Sequence, residues 1–162
     1  MENVYIGLGS NLADPRTQVE NGLRVLAALA DSHLRRRSWL YRTAPWGRAD
    51  QPEFVNAVAH LETTLTPREL LNRLLAVERA AGRVRGDTRW GPRVLDLDIL
   101  VFGEIELDEP GLRLPHPHLH ERAFALAPLA EIAPDLVIPG RGRVRDLLTR
   151  IDVSDCVPLA AE

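Results

Sequence analysis

Two acidic residues carry the first hint of chemistry. Asp96 and Asp98 stand two apart in Val94-Leu95-Asp96-Leu97-Asp98-Ile99-Leu100. A strand's period of two puts both carboxylates on one face, with Cα atoms about 6–7 Å apart. Aspartate is disfavoured in strands, and two ionised carboxylates at that spacing repel and are costly to bury unpaired. A hard divalent cation offsets that cost, and Mg²⁺ characteristically takes one or two carboxylates together with substrate phosphates. The competing reading is a half-exposed strand with solvated aspartates. Directly upstream, Gly82 to Arg93 packs four Arg, three Gly and a Pro into twelve residues. Beside an acidic pair, such a cationic loop suits a polyphosphate whose outer oxygens are neutralised by Arg forks. A solvated basic loop or an RNA-binding tract competes, but no second basic tract interleaved with aromatics supports RNA.

Other polar residues sit in apolar surroundings. Asn56 lies in the strand-like run Phe54 to Leu61 on the same side as Phe54. Its amide can pair in bidentate fashion with a heterocycle edge while a ring stacks on the face, or it can be a satisfied core amide. His116-Pro117-His118-Leu119-His120 alternates histidines, yet Pro115 and Pro117 argue for a turn and against a zinc site. A phosphate contact by His116 and a plain surface turn for the others fit better. Glu78 lies beside the apolar stripe of a helix near the Arg loop, where it either orients an Arg or is solvated. All 20 basic residues are Arg, which excludes a P-loop lysine, a Schiff base and a Ser-Lys dyad. Gly7-Leu8-Gly9-Ser10-Asn11 is too short for a dinucleotide fingerprint.

The elements that must position these residues follow from periodicity and caps. Val4–Gly9 reads as a strand. Asp14 as N-cap with Pro15 at the first helical position starts a helix over about 15–30. Ser38–Thr43 and Phe54–Leu61 read as strands. Thr66, Pro67 and Glu69 form a capping box, Leu70, Leu74, Val77 and Ala81 a stripe, and Gly82 a stop. Val94–Phe102 is a fourth strand, followed by a hairpin at 105–107, a helix over about 121–131 and a short amphipathic end at 144–148. The order βαββαβ over residues 3–102 is that of a ferredoxin-like α+β sandwich, an antiparallel sheet flanked by helices, with a hairpin and helices appended. The 162 residues suit one domain. A net charge of −3, the single Cys156 and the lack of a long apolar run favour a cytoplasmic protein that coats neither nucleic acid nor membrane.

Taken together, Gly7-Leu8-Gly9-Ser10-Asn11-Leu12, Tyr41-Arg42-Thr43 with Pro45, Phe54-Val55-Asn56-Ala57, Gly82-Arg83-Val84-Arg85 and Arg89-Trp90-Gly91-Pro92-Arg93-Val94-Leu95-Asp96-Leu97-Asp98 carry a resemblance. Leu114-Pro115-His116-Pro117 and Leu129-Ala130-Glu131-Ile132-Ala133-Pro134 extend it to nearly the whole chain. The chain resembles the 6-hydroxymethyl-7,8-dihydropterin pyrophosphokinases of folate biosynthesis. The resemblance implies transfer of the β,γ-diphosphate of ATP to the pterin's hydroxymethyl oxygen, releasing AMP. It implies two Mg²⁺ ions on Asp96 and Asp98, and catalytic roles for these with Arg83 and Arg93. Asn56 would pair with the pterin, Phe54 and Phe124 would sandwich its ring, and Thr43, Pro45 and Trp46 would complete the pocket. Glu78, Arg83, Arg85, Trp90, Arg93, Ile99, His116 and Arg122 would serve ATP. The partners implied are ATP and the pterin alone, for a monomer.

Phe54 stands where Tyr is common in the family, Trp46 where a smaller apolar residue is, and Pro117 where Tyr occurs. The reaction needs no poised base, since alignment and charge neutralisation carry phosphoryl transfer. The loop over 83–93 is expected to order on MgATP, with Arg93 acting on nucleotide affinity and Arg83 and Arg85 on turnover. Two rivals differ in class: an RNA-binding ferredoxin-like module, and a metal-dependent phosphohydrolase that uses the same aspartates with water as acceptor.

Overall fold

The structure, a computed structural model, describes residues 1–12, 14–43, 52–82 and 94–159. Strand β1 (Glu2–Ser10) leads into helix α1 (Pro15–Ala27), followed by β2 (Ser32–Arg37), β3 (Tyr41–Thr43) and β4 (Phe54–Thr63). Helix α2 (Pro67–Ala80) precedes β5 (Asp96–Phe102), the hairpin β6 (Leu107–Glu109) and β7 (Leu112–Leu114), and a 3₁₀ turn at Leu119–Glu121. Helix α3 (Ala123–Ile132), β8 (Val137–Ile138), β9 (Gly142–Arg143), α4 (Val144–Leu148) and β10 (Val157–Pro158) complete the order.

The main sheet is antiparallel in the order β10-β3-β4-β1-β5, with β2 also paired to β4. With β2 and β3 taken as one interrupted strand, this is the order of the split βαβ sandwich, as the pattern of elements predicts. One face packs Val4, Ile6 and Leu8 against Val19, Leu23 and Leu26 of α1 and Leu70 and Leu74 of α2. The other packs Tyr5, Val58 and Leu100 against Leu126 and Leu129 of α3 and Val144 and Leu147 of α4. Helices on both faces bury the central strands almost completely. Among the described residues no helix is long and apolar enough to cross a membrane.

Several local expectations need correction. Strand β2 lies where none was expected, and the expected strand over 38–43 shrinks to 41–43. Ser-His-Leu-Arg-Arg-Arg has one apolar residue because β2 is a mostly solvated edge: Arg35 pairs with Glu62, Arg37 with Glu20, and Arg36 reaches the Ile132 carbonyl. Charges on an edge strand discourage pairing with other chains and erase the alternation that betrays a strand. Asp14 precedes α1 but does not cap it with its side chain. Its backbone is left-handed (φ 60°), and its carboxylate instead accepts from the Thr17 hydroxyl at 2.8 Å. Helix α1 ends at Ala27, not near 30, and the fourth strand begins at Asp96, not Val94. The hairpin begins at Leu107, two residues later than expected, and α3 begins after a 3₁₀ turn. The capping box of α2 forms as expected: Glu69 N–H donates to Thr66 Oγ1 and Thr66 N–H to Glu69 Oε1.

Candidate functional site

Cross-strand register builds the site. Directly opposed residues of antiparallel strands project from the same face. Asn56 lies opposite Gly9, and Gly9 opposite Asp96; one step along, Val58 lies opposite Gly7 and Gly7 opposite Asp98. Asn56 and the aspartates therefore share a face of the sheet, about 9–10 Å apart across the glycine strand. The expectation of one face for Asp96 and Asp98 holds: both are half-buried, while Leu95, Leu97 and Ile99 between and beside them are buried.

The two glycines keep the floor between these groups open. A Cβ on Gly9 would lie 2.6 Å from Asn56 Oδ1, so the amide oxygen occupies the space a side chain would need. Asn56 itself is buried, and its Nδ2 donates to the Thr43 hydroxyl at 2.5 Å. Thr43 is opposite Phe54 in the register, which puts amide, hydroxyl and aromatic ring at one end of the face.

A cavity of about 550 Å³ opens over this floor, within the usual range for small-molecule sites. Gly7, Gly9, Thr43, Phe54, Asn56, Glu78, Asp96, Asp98, His116, Arg122 and Phe124 all line it. A smaller recess of about 240 Å³ shares part of this lining, with Leu71, Leu97, Ile99 and Leu112 beside Asp98, Arg113 and His116. Ile99 faces this recess, not the main cavity. Phe124 and Arg122 come from the start of α3, where the Arg122 guanidinium carbon stands 5.6 Å from the Phe124 ring centre. The expected residues Pro45, Trp46, Arg83, Arg85, Trp90 and Arg93 lie outside the described residues.

Two side chains have surroundings that the sequence left open. Glu78 is not solvated: it is 3% exposed, and its Oε2 accepts the Leu97 N–H at 2.7 Å. That amide lies between the two aspartates on an edge strand, so the buried carboxylate fixes the strand segment that carries them. His116 hangs from the same strand, its N–H donating to the Leu100 carbonyl at 2.8 Å. The ring's Nδ1 accepts from the His118 N–H at 3.2 Å, which leaves Nε2 as the protonated nitrogen of a neutral imidazole. Burial, followed by the nearby Arg122 charge, lowers the His116 pKa to about 4. The ring is therefore a neutral donor at physiological pH.

Among the described residues no three metal-binding side chains cluster. Among the described residues the donor set offered to a cation is the aspartate pair. Two hard oxygen donors on an open floor fit an ion that keeps most of its other ligands from phosphate and water, as Mg²⁺ does.

An antiparallel split βαβ sheet holding a carboxylate pair, an aromatic and amide pocket and a recess in one cleft has the groups that a two-substrate phosphoryl-transfer enzyme needs. Over residues 5–134 the sequence matches the model of the family described as 7,8-dihydro-6-hydroxymethylpterin-pyrophosphokinase. A 2-amino-4-hydroxy-6-hydroxymethyldihydropteridine pyrophosphokinase of Pseudomonas aeruginosa is 52% identical over 148 residues, 91% of each chain. That of Methylorubrum extorquens is 47% identical over 154 residues, 95% of this chain and 96% of the other. In solved structures, the fold is similar to a Plasmodium falciparum HPPK-DHPS with pterin and p-hydrobenzoate, at TM-score 0.70 and 14% identity. That match covers 92% of this chain and 44% of the other, so this chain spans less than half of the Plasmodium protein. The chain belongs to the 7,8-dihydro-6-hydroxymethylpterin-pyrophosphokinase family, and the resemblance read from its motifs is borne out. By that membership it is a diphosphotransferase of folate biosynthesis.

Proposed function

We propose that this chain transfers the β,γ-diphosphate of ATP to the hydroxymethyl oxygen of 6-hydroxymethyl-7,8-dihydropterin, acting as one cytoplasmic, monomeric domain, with the following division of labour. The pterin lies at the Asn56 end of the cleft. Thr43 accepts from the Asn56 Nδ2, which leaves the amide oxygen over Gly9 to accept from ring N–H groups. Phe54 and Phe124 flank the ring. By the family resemblance, Pro45 and Trp46 would complete the pocket, with Trp46 in place of a smaller apolar residue. The adenine fits the recess against Leu71, Ile99 and Leu112, which give it apolar contacts, with Asp98, Arg113 and His116 also in its lining. The polyphosphate then runs between the two, across the aspartates.

Asp96 and Asp98 would hold two Mg²⁺ ions, which would supply charge neutralisation for the polyphosphate. The protein's own contributions are positional. Glu78 fixes the backbone between the aspartates, and His116 offers Nε2–H as a neutral donor to a phosphate oxygen. Arg122, with Arg83, Arg85 and Arg93 of the cationic segment, neutralises the rest of the charge. The hydroxymethyl group approaches along the 9–10 Å line from Asn56 to Asp96, and the proton it loses passes to a phosphate oxygen or to solvent, with no side chain poised as base.

The observation that carries this reading is the register row Asn56–Gly9–Asp96, which supports it by setting an amide suited to a heterocycle edge and a carboxylate suited to a metal on one face of the sheet. A ³¹P NMR time course with ATP, Mg²⁺ and 6-hydroxymethyl-7,8-dihydropterin tests it. The expected products are AMP and a pterin diphosphate. ADP with free phosphate would indicate a phosphohydrolase, and no turnover would leave the binding-module reading.

A further inference from the structure

The carboxylate of Glu131 on α3 holds β3 at Tyr41 and the segment leading into it at Trp39. Its Oε1 accepts from the Tyr41 hydroxyl at 2.6 Å and from the Trp39 N–H at 3.1 Å, and Oε2 lies 3.2 Å from the same N–H. Tyr41 is opposite Asn56 in the register, and Thr43, two residues on, holds the Asn56 amide. On the helix, Phe124 precedes Glu131 by seven residues, two turns along the same stripe and about 10 Å away. One carboxylate thus ties the helix that carries Phe124 to the strands that carry Thr43, Asn56 and Phe54.

From this geometry we infer that Glu131 is a positioning residue for the pterin subsite, setting the gap between Phe124 and the sheet. A flat ring held between two aromatic faces needs them about 7–8 Å apart, twice the carbon contact distance. A drift of about 1 Å forfeits up to half of each contact, so the gap needs a fixed reference. Tyr41 is buried, and desolvation followed by the Glu131 contact raises its phenol pKa, so the hydroxyl remains a donor throughout the working range. Strand β3 has only three residues and depends on such anchoring; on its other edge Val157 and Pro158 of β10 pair with it.

The inference rests on the assignment of the pterin to the Asn56 pocket, and Asn56→Ala, measured alongside, separates the two. Calorimetry with 6-hydroxymethyl-7,8-dihydropterin and, separately, a non-hydrolysable MgATP analogue gives the affinities; steady-state kinetics gives KM and kcat. Glu131→Ala should raise the pterin Kd and KM about five-fold or more, with nucleotide Kd and saturated kcat within about two-fold. Glu131→Gln keeps an acceptor and should restore most of the affinity. Tyr41→Phe should show part of the loss, and Glu131→Ala with Tyr41→Phe should be little worse than Glu131→Ala alone, because both remove one contact. If Glu131→Ala fails to fold, Tyr41→Phe carries the test by the same split. Pterin affinity unchanged in Glu131→Ala and Tyr41→Phe, or nucleotide affinity weakened equally, overturns the inference. If Asn56→Ala also leaves pterin affinity unchanged, the pocket assignment itself is wrong.

Discussion

Gly9→Ala is the smallest change that tests the architecture of the cleft. The added methyl would sit 2.6 Å from Asn56 Oδ1, well inside the ordinary C···O contact of about 3.3 Å. The amide cannot simply swing away, since it is buried and tied to Thr43 at 2.5 Å. Relief requires breaking that hydrogen bond or parting β1 from β4, and either takes the amide oxygen from the place where, on the proposed reading, it would meet the ring. Loss of a paired buried polar contact costs about 1–3 kcal/mol, so the pterin Kd should rise roughly 5- to 150-fold. Gly7→Ala is the internal control. It lies on the same strand and face, but its methyl would stand 3.4 Å from Leu100 Cδ2, an ordinary contact. Calorimetric titration of each variant with the pterin, and thermal unfolding to confirm the fold, make the comparison. Pterin affinity within two-fold of wild type in Gly9→Ala, or equal losses in both variants, would refute the account of the floor.

Three further outcomes follow from the site. Asp96→Ala and Asp98→Ala should each abolish most turnover while the fold is kept, because each removes a metal oxygen but also relieves carboxylate repulsion; more than about a third of wild-type activity at saturating Mg²⁺ would contradict the pair as metal ligands. Glu78→Ala should lower stability by about 1–3 kcal/mol in denaturant titrations by orphaning the Leu97 N–H, whereas Glu78→Gln, which keeps an acceptor, should lose less. The His116 pKa falls from 6.5 to about 4 on folding, so below pH 6.5 the unfolded chain takes up the proton first. Its neutral-ring contribution is complete above the unfolded value and lost as pH drops toward 4. The thermal midpoint of wild type should therefore fall more steeply than that of His116→Asn over this window, and the His116 C2 proton should show no NMR titration above about pH 5.

The parts of the fold that could be read directly are those whose local signals agree with their tertiary role. Strands β4 and β5 read as dense apolar runs because helices cover both faces of the sheet, and Thr66 with Glu69 announces α2 by a cap that is purely local. The same runs exposed the aspartate pair and Asn56, since polar residues inside apolar strands stand out. Strand β2 and β10 escaped notice because edge pairing draws on backbone groups and leaves no pattern in side chains. Glu78 and Glu131 were legible as residues but not as roles. Each binds a group distant in sequence, Leu97 N–H from α2 and Tyr41 from α3, and nothing in the spacing of a helix predicts which strand its carboxylate will meet. Besides the family resemblance, which gave Glu78 to ATP and included Glu131 in a motif, the signal in the residues is a glutamate next to a helix's apolar stripe or at its end.

The register between β1 and β5 shifts between Tyr5 and Ile6, so that Leu100 is an extra residue on β5. The shift lets Leu100 and Val101 both serve the face shared by the aspartates, while the Leu100 carbonyl receives the His116 N–H. Asp96 and Asp98 stand on β5, and His116 is hydrogen-bonded to the same strand at Leu100, so the three are referred to one bar, like the jaws of a caliper. A displacement of that bar acts on the aspartates directly and on His116 through this hydrogen bond. The arrangement also makes alignment errors self-announcing. A one-residue slip of β5 would carry both carboxylates into the apolar layer of α1 and α2, a placement too costly to populate. The groups that draw the chain toward chemistry are thus also the ones that forbid it to misalign. Any attempt to transplant this site would have to move residues 96–100 and 116 as one piece.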